Sequence, residues 1–195
     1  MIYHEKAGVQ NTKSTLEATR KRAAELGIRQ LVVATTTGQT ALDCALVMPE
    51  MERIVGVTMY AVDEPVIVTR PAGKIQAKDP DIMDRARAAG VTFYTGVHSL
   101  GGATATAVSK RFGGAQAVDI ISETYKTISV GTKVAVECAL MAADSGLLDM
   151  QGEIISLGGW KGGVDTSIVL KPAYSRNFFD LRILEFIALP HLDGE

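Results

Sequence analysis

LVVATTTGQTAL, from Leu31 to Leu42, is the stretch on which the reading of this chain turns. Leu31, Val32, Val33 and Ala34 form a continuous apolar run, which a strand buried on both faces requires. Thr35, Thr36 and Thr37 then place three hydroxyls in a row before Gly38, and from Ala41 to Val47 apolar residues recur at helical spacing. A strand that turns through hydroxyls and a glycine into a helix is a ready anion site. The first helical N–H groups have no partner, and the helix dipole adds about half a positive charge there. The hydroxyls of Thr35, Thr37 and Thr40 can donate to phosphate oxygens, and Gly38 lets the backbone come close. An ordinary strand-to-helix turn with a threonine N-cap has the same local pattern. The stretch is not a Walker A loop, because the GxxxxGK[ST] spacing and its lysine are absent.

The neighbouring segments extend the pattern. Upstream, Ile2 and Tyr3 suggest a short strand. Asn11 or Thr12 can cap a first helix, with Ser14 and Glu17 as a second capping box, and Gly27 ends it. Downstream, Ile54 to Thr58 is a buried strand, so a right-handed βαβ unit is visible. Met59 to Lys78 holds Pro65, Pro71 and Gly73 and reads as either a hairpin arm or a lid. Asp79 and Pro80 mark a helix start running to about Ala89. Val91 to Thr95 is a third strand, and His98 and Ser99 lie just beyond its end, where open α/β sheets bind ligands.

A helix-like stretch ends near Phe112, and a second helix is expected over Ala115 to Ser129. Thr132 to Ser145 is a strongly apolar helix carrying Glu137 among Val134, Val136 and Met141. A carboxylate there is either a ligand or acid–base group, or a paired polar group holding a neighbouring loop; pairing is the commoner case. Glu153 to Leu157 and Thr166 to Leu170 are strands separated by too few residues for a helical crossover. They must be antiparallel neighbours. The loop between them, Gly158, Gly159, Trp160, Lys161, Gly162, Gly163, Val164 and Asp165, supplies amides, a cation and a flat aromatic. With Thr166 these suit a phosphate and a planar group. Asn177 to Asp180 reads as an anchor onto the core, and Leu181 to Leu189 is apolar at both strand and helix spacing before Pro190 stops it.

Composition bounds the function. The 195 residues suit one domain, 1–195, and 47% hydrophobic with 22% charged residues is a globular composition. A net charge of −2 with no basic stripe gives nucleic-acid binding little electrostatic support. Cys44 and Cys138 lie in apolar helical patterns with no metal spacing. No apolar run is long enough to span a bilayer, and MIYHEKAG has no signal-peptide core, so a cytoplasmic location is expected. Eleven of the 19 glycines fall within 96–114 or 146–163, which marks those loops as a candidate ligand wall.

These pieces together resemble a known family. Glu5 and Lys6 with Gly8, Asn11 and Thr12 come first, then VVATTTGQTA, His98 with Gly102, KRFGG, KVAVE, MAADSG, SLGGWKGGVDTSIVLKPA and NFFD. In order and over nearly the whole chain, they resemble stand-alone archaeal and bacterial proteins built like the C-terminal α/β domain of pyruvate kinase. The resemblance implies a three-layer α/β/α domain with a five-stranded, mostly parallel sheet and one antiparallel strand. It also implies a bound phosphate at Thr35, Thr36, Thr37, Gly38 and Thr40. In pyruvate kinase the matching loop holds a phosphate of a sugar-bisphosphate activator, and the stand-alone proteins are associated with flavin mononucleotide (FMN). Asn11, His98, Ser99, Gly158, Gly159, Lys161, Gly162, Asp165 and Thr166 complete the expected binding set, with no metal. TMYAVDEP at Thr58 to Pro65 departs from the family's TYHTGF-like stretch, which puts any ligand contact made there in doubt.

Pyruvate kinase activity itself is not expected, since the metals, lysine clamp and nucleotide site of that reaction belong to the catalytic barrel. The expected function is a binding domain for a phosphorylated small molecule, FMN first. The alternatives are a flavin-dependent enzyme with His98 or Glu137 in proton transfer, and a regulatory sensor of a sugar phosphate. The expected partner is that small molecule, not nucleic acid or membrane, and a homo-oligomer is one admissible state.

Overall fold

The computed structural model describes residues 1–59, 79–101, 103–160 and 162–191. The hairpin arm or lid expected between Met59 and Lys78 therefore lies outside the described residues, apart from Met59. Seven strands form one sheet in the order β1-β7-β6-β5-β2-β3-β4. They are β1 (Ile2–His4), β2 (Gln30–Ala34), β3 (Arg53–Met59), β4 (Val91–Gly96), β5 (Ile154–Gly158), β6 (Thr166–Lys171) and β7 (Arg182–Pro190). The helices are α1 (Thr12–Leu26), α2 (Gln39–Val47), α3 (Pro80–Ala88), α4 (Ala103–Phe112), α5 (Ala117–Lys126) and α6 (Val130–Asp144).

The strand count is seven, not five. Two edge elements account for the difference: β7 pairs antiparallel with β6, and the three-residue β1 adds parallel to β7. The single antiparallel strand is as expected. β6 runs against both β5 and β7, with Ile154 opposite Leu170, and all other pairings are parallel.

Strand periodicity divides the core into two layers. Leu31 and Val33 of β2 face one way, onto Leu16 of α1, Leu42 and Cys44 of α2 and Ala86 of α3. Val32 faces the other way, with Ile154, Ile168 and Leu170, onto Ala135, Ala139 and Leu140 of α6. That two-sided burial explains the unbroken apolar runs of the central strands. Small residues let α6 lie close to the sheet. A Cβ at Gly158 would come within 2.2 Å of the Gly131 carbonyl oxygen, so β5 and the start of α6 touch backbone to backbone.

Helix boundaries follow local chemistry. Asp79 caps α3 by accepting from the Ile82 amide at 3.2 Å, with Pro80 at the first helical position. Ser129 caps α6 by accepting from the Thr132 amide at 2.9 Å, so α6 starts at Val130, two residues before the expected start. Gly27, left-handed, closes α1. Asn11 holds the N-cap position of α1 but makes no side-chain cap bond, and Ser14 and Glu17 lie inside the helix rather than in a capping box. The aromatic anchor is half of what was expected: Phe178 packs edge-on against Tyr125, whereas Phe179 is 83% exposed. Residues 182–190 resolve as strand, ending at Pro190. Among the described residues no helix is long and apolar enough to cross a membrane.

Candidate functional site

β2 continues through α2 to β3, and β3 through α3 to β4, all on one face. The chain then passes through α4 to α5 and α6, which pack on the other face, and returns in β5, on the far side of β2. The strand order thus reverses between β2 and β5, and loops leaving the carboxyl ends of the two strands part there. Such a switch point is where open α/β sheets form crevices. Here it forms a cleft of about 640 Å³, within the range of about 300–1,000 Å³ usual for small-molecule sites.

One wall is the β2–α2 turn, with Thr35, Thr36, Thr37, Gln39, Thr40 and Asp43. The floor is Ala34, Val57, Thr58 and Met59. The facing wall is α6, through Val130, Lys133, Val134, Glu137, Cys138 and Met141, with Lys126 from the end of α5. His98 follows β4, and Gly159, Trp160, Gly162 and Gly163 come from the glycine loop. Val9 and Thr12 close one side.

Within the turn, Thr35 Oγ1 accepts from the Gly38 amide at 3.1 Å and Thr37 Oγ1 accepts from the Gln39 amide at 3.2 Å. Those two amides are engaged within the turn, so the donors that suit an anion are the threonine O–H groups and the N–H groups of the first turn of α2 beyond Gln39, together with the field of its N-terminus. Gly38 does not line the cleft. It has φ +97°, and a Cβ there would come within 2.8 Å of Met83 Cγ on α3. Its role is to close the turn against α3, not to admit a ligand. Asp43 lies one turn along α2, accepting from Gln39 Nε2 at 2.7 Å.

On the facing wall Glu137 is 2% exposed and fully engaged. Oε1 accepts from the Leu100 amide at 2.8 Å, and Oε2 pairs with Lys133 Nζ at 2.6 Å and lies 3.5 Å from His98 Nδ1. It joins α6 to the loop after β4, as the loop-holding alternative had it. Burial lowers the His98 pKa from its ordinary 6.5; Glu137 opposes this shift and Lys133 adds to it. The imidazole is therefore neutral at pH 7. Cys138 borders the cleft, but burial pushes its thiol pKa far up, which leaves it unreactive.

The expected set divides. Thr35, Thr36, Thr37, Thr40, His98, Gly159 and Gly162 come together at the cleft. Asn11, Ser99, Gly158, Asp165 and Thr166 are not among its lining residues. Asn11 donates its side-chain amide to the Lys6 carbonyl at 2.7 Å. Asp165, 1% exposed, accepts from the Gly8 amide at 2.9 Å and from the Thr166 hydroxyl at 3.0 Å, and Thr166 also meets Ser129 at 3.2 Å. These residues fasten the N-terminal loop and the start of α6 behind the glycine wall. Lys161 and Gly102 lie outside the described residues. Lys133 was missed as a site residue. Its signal was present: Lys133 and Glu137 stand four apart, so they share a face of a helix whose other residues are mostly apolar or small. Among the described residues no group of three or more His, Cys, Asp or Glu could hold a metal.

A three-layer, doubly wound α/β domain with a small-molecule-sized cleft at its switch point is the class these features define. The family model for the pyruvate kinase alpha/beta domain matches residues 13–170, and the chain belongs to that family.

Proposed function

We propose that the chain binds a phosphorylated small molecule in this cleft, with FMN first among the candidates. The observation that carries the reading is the convergence of Thr35, Thr37 and Thr40 at the start of α2 with an otherwise largely apolar cleft of about 640 Å³. The threonine hydroxyls and helix terminus suit the phosphate. The Asp43 carboxylate suits the hydroxyls of a sugar or polyol chain. Val57, Val134, Met141 and Trp160 offer apolar contact to a planar ring. These residues fit the flavin as a bound group; the ring would supply redox chemistry and the chain would hold and orient it.

Flavin-dependent catalysis is the second reading, and the neutral, cleft-lining His98 favours it, since such an imidazole can accept a proton. Glu137 is poorly suited to that role because both its oxygens are engaged. A sugar-phosphate sensor would use the same threonine turn.

Titrating FMN and riboflavin against the purified chain, followed by flavin fluorescence, tests the proposal. One hydrogen bond to a charged acceptor contributes about 1.5–3 kcal/mol, so FMN is expected to bind at least about tenfold more tightly than riboflavin. Equal affinities, or no binding of FMN, would remove the proposal's support.

A further inference from the structure

Among the described residues, the charge on the α6 wall of the cleft is balanced. Among the described lining residues two lysines, Lys126 and Lys133, stand against two carboxylates, Asp43 and Glu137. Lys126 is drawn outward to Glu123 at 2.6 Å. Lys133 is the cation set into the wall facing the threonine turn, with a side chain only 10% exposed. It is cancelled in place by Glu137 at 2.6 Å, and Glu137 is itself fixed by the Leu100 amide at 2.8 Å. A buried ammonium already paired with a carboxylate has N–H donors to offer but no net charge. It attracts a neutral acceptor such as a ring carbonyl. It does not repay the desolvation of a second dianion, which would also face the Glu137 carboxylate.

Resting on the reading of the cleft as a phosphate-binding site, we infer that the Lys133–Glu137 pair sets its specificity. Lys133 donates to an uncharged oxygen at the end of the ligand remote from its phosphate, and Glu137 rejects ligands that carry a second anionic group there. The ligand class is thus a phosphomonoester that presents a neutral, hydrogen-bonding ring to α6, and a second phosphate is not accepted at that wall. The positive pole at the start of α2 and the neutral pole on α6 read the two ends of one molecule.

Two variants test this. Glu137→Gln keeps an acceptor for the Leu100 amide and removes the negative charge. Lys133→Met/Glu137→Gln removes both charges and leaves no buried ion unpaired. Thermal unfolding of each confirms that it is folded before binding is measured. The ratio of fructose 1,6-bisphosphate to fructose 6-phosphate affinity is measured first in wild type. In Glu137→Gln the bisphosphate should gain about tenfold or more over the monophosphate, as an unpaired cation now faces it. In the double variant riboflavin and FMN should both weaken, by about tenfold, because the hydrogen bond from Lys133 goes to the ring that the two ligands share.

A Glu137→Gln variant with unchanged selectivity overturns the inference, and so does a double variant that binds riboflavin as wild type does. These outcomes are separable from failure of the phosphate reading, which is decided at Thr40 and by the FMN-to-riboflavin ratio. A wild type that binds neither FMN nor fructose 6-phosphate overturns both.

Discussion

Thr35 and Thr37 each accept an amide of the turn they begin, which fixes their oxygens and turns their hydroxyl protons to other uses. Gly38 makes that turn possible. An alanine there would adopt φ near +97° and press on Met83. Gly38→Ala should therefore cost about 1–3 kcal/mol, read as a lower denaturant midpoint at unchanged slope; an unchanged midpoint would contradict the geometry. Two histidines, His4 buried and His98 partly buried, predict an acid sensitivity. Burial lowers the pKa of both His4 and His98 below 6.5, so the unfolded chain binds more protons just below that value than the native one. Stability is then full above about pH 6.5 and falls as pH drops from there towards the native pKa values. Melting temperatures measured from pH 7.5 to about 5.5 should decline, and the decline should shrink in His98→Asn; a flat profile would contradict this. The threonines, His98 and the glycines were legible because each has a local reason to be where it is. The contacts of Asp165 with Gly8 and of Thr166 with Ser129 are not legible in the sequence, because these partners are distant along the chain. Lys133 was missed because a lone lysine in an apolar helix is ordinarily a solvated edge.

α6 is the element on which both the core and the cleft depend. Its start is held by Ser129, whose hydroxyl accepts from the Thr132 amide and also meets Thr132 and Thr166 hydroxyls at 2.9 and 3.2 Å. Ser129→Ala should cost about 1–2 kcal/mol and should also weaken ligand binding, because α6 carries one wall of the cleft. Paired unfolding and titration curves would show both; stability lost with affinity intact would mean that the wall does not depend on the cap. The apolar pattern announced α6 clearly, and the antiparallel β5–β6 pair followed from loop length alone. β7 was ambiguous because Leu181 to Leu189 is apolar at both spacings. Only its pairing with β6 on one side and β1 on the other makes it a strand. β1 has three residues and owes its existence to β7, a dependence that no local window can show.

The domain places its cleft at one end of the sheet, where the segments after β2, β4 and β5 meet one face of α6, and leaves the rest of the two helical layers to the core. Membership of the pyruvate kinase alpha/beta domain family does not by itself bring phosphoryl transfer. Purified as this chain, the protein is expected not to phosphorylate ADP from phosphoenolpyruvate; turnover that survives repurification and tracks with the protein would contradict that. The account stands on the phosphate at the start of α2. Thr40, 8% exposed, lines the cleft there, and Thr40→Val keeps its shape while removing its donor. Titrating wild type and Thr40→Val with FMN and with riboflavin should show FMN affinity falling by about tenfold or more in the variant while riboflavin affinity stays nearly constant. Equal losses for the two ligands would show that Thr40 supports the fold and not a phosphate, and would contradict the account.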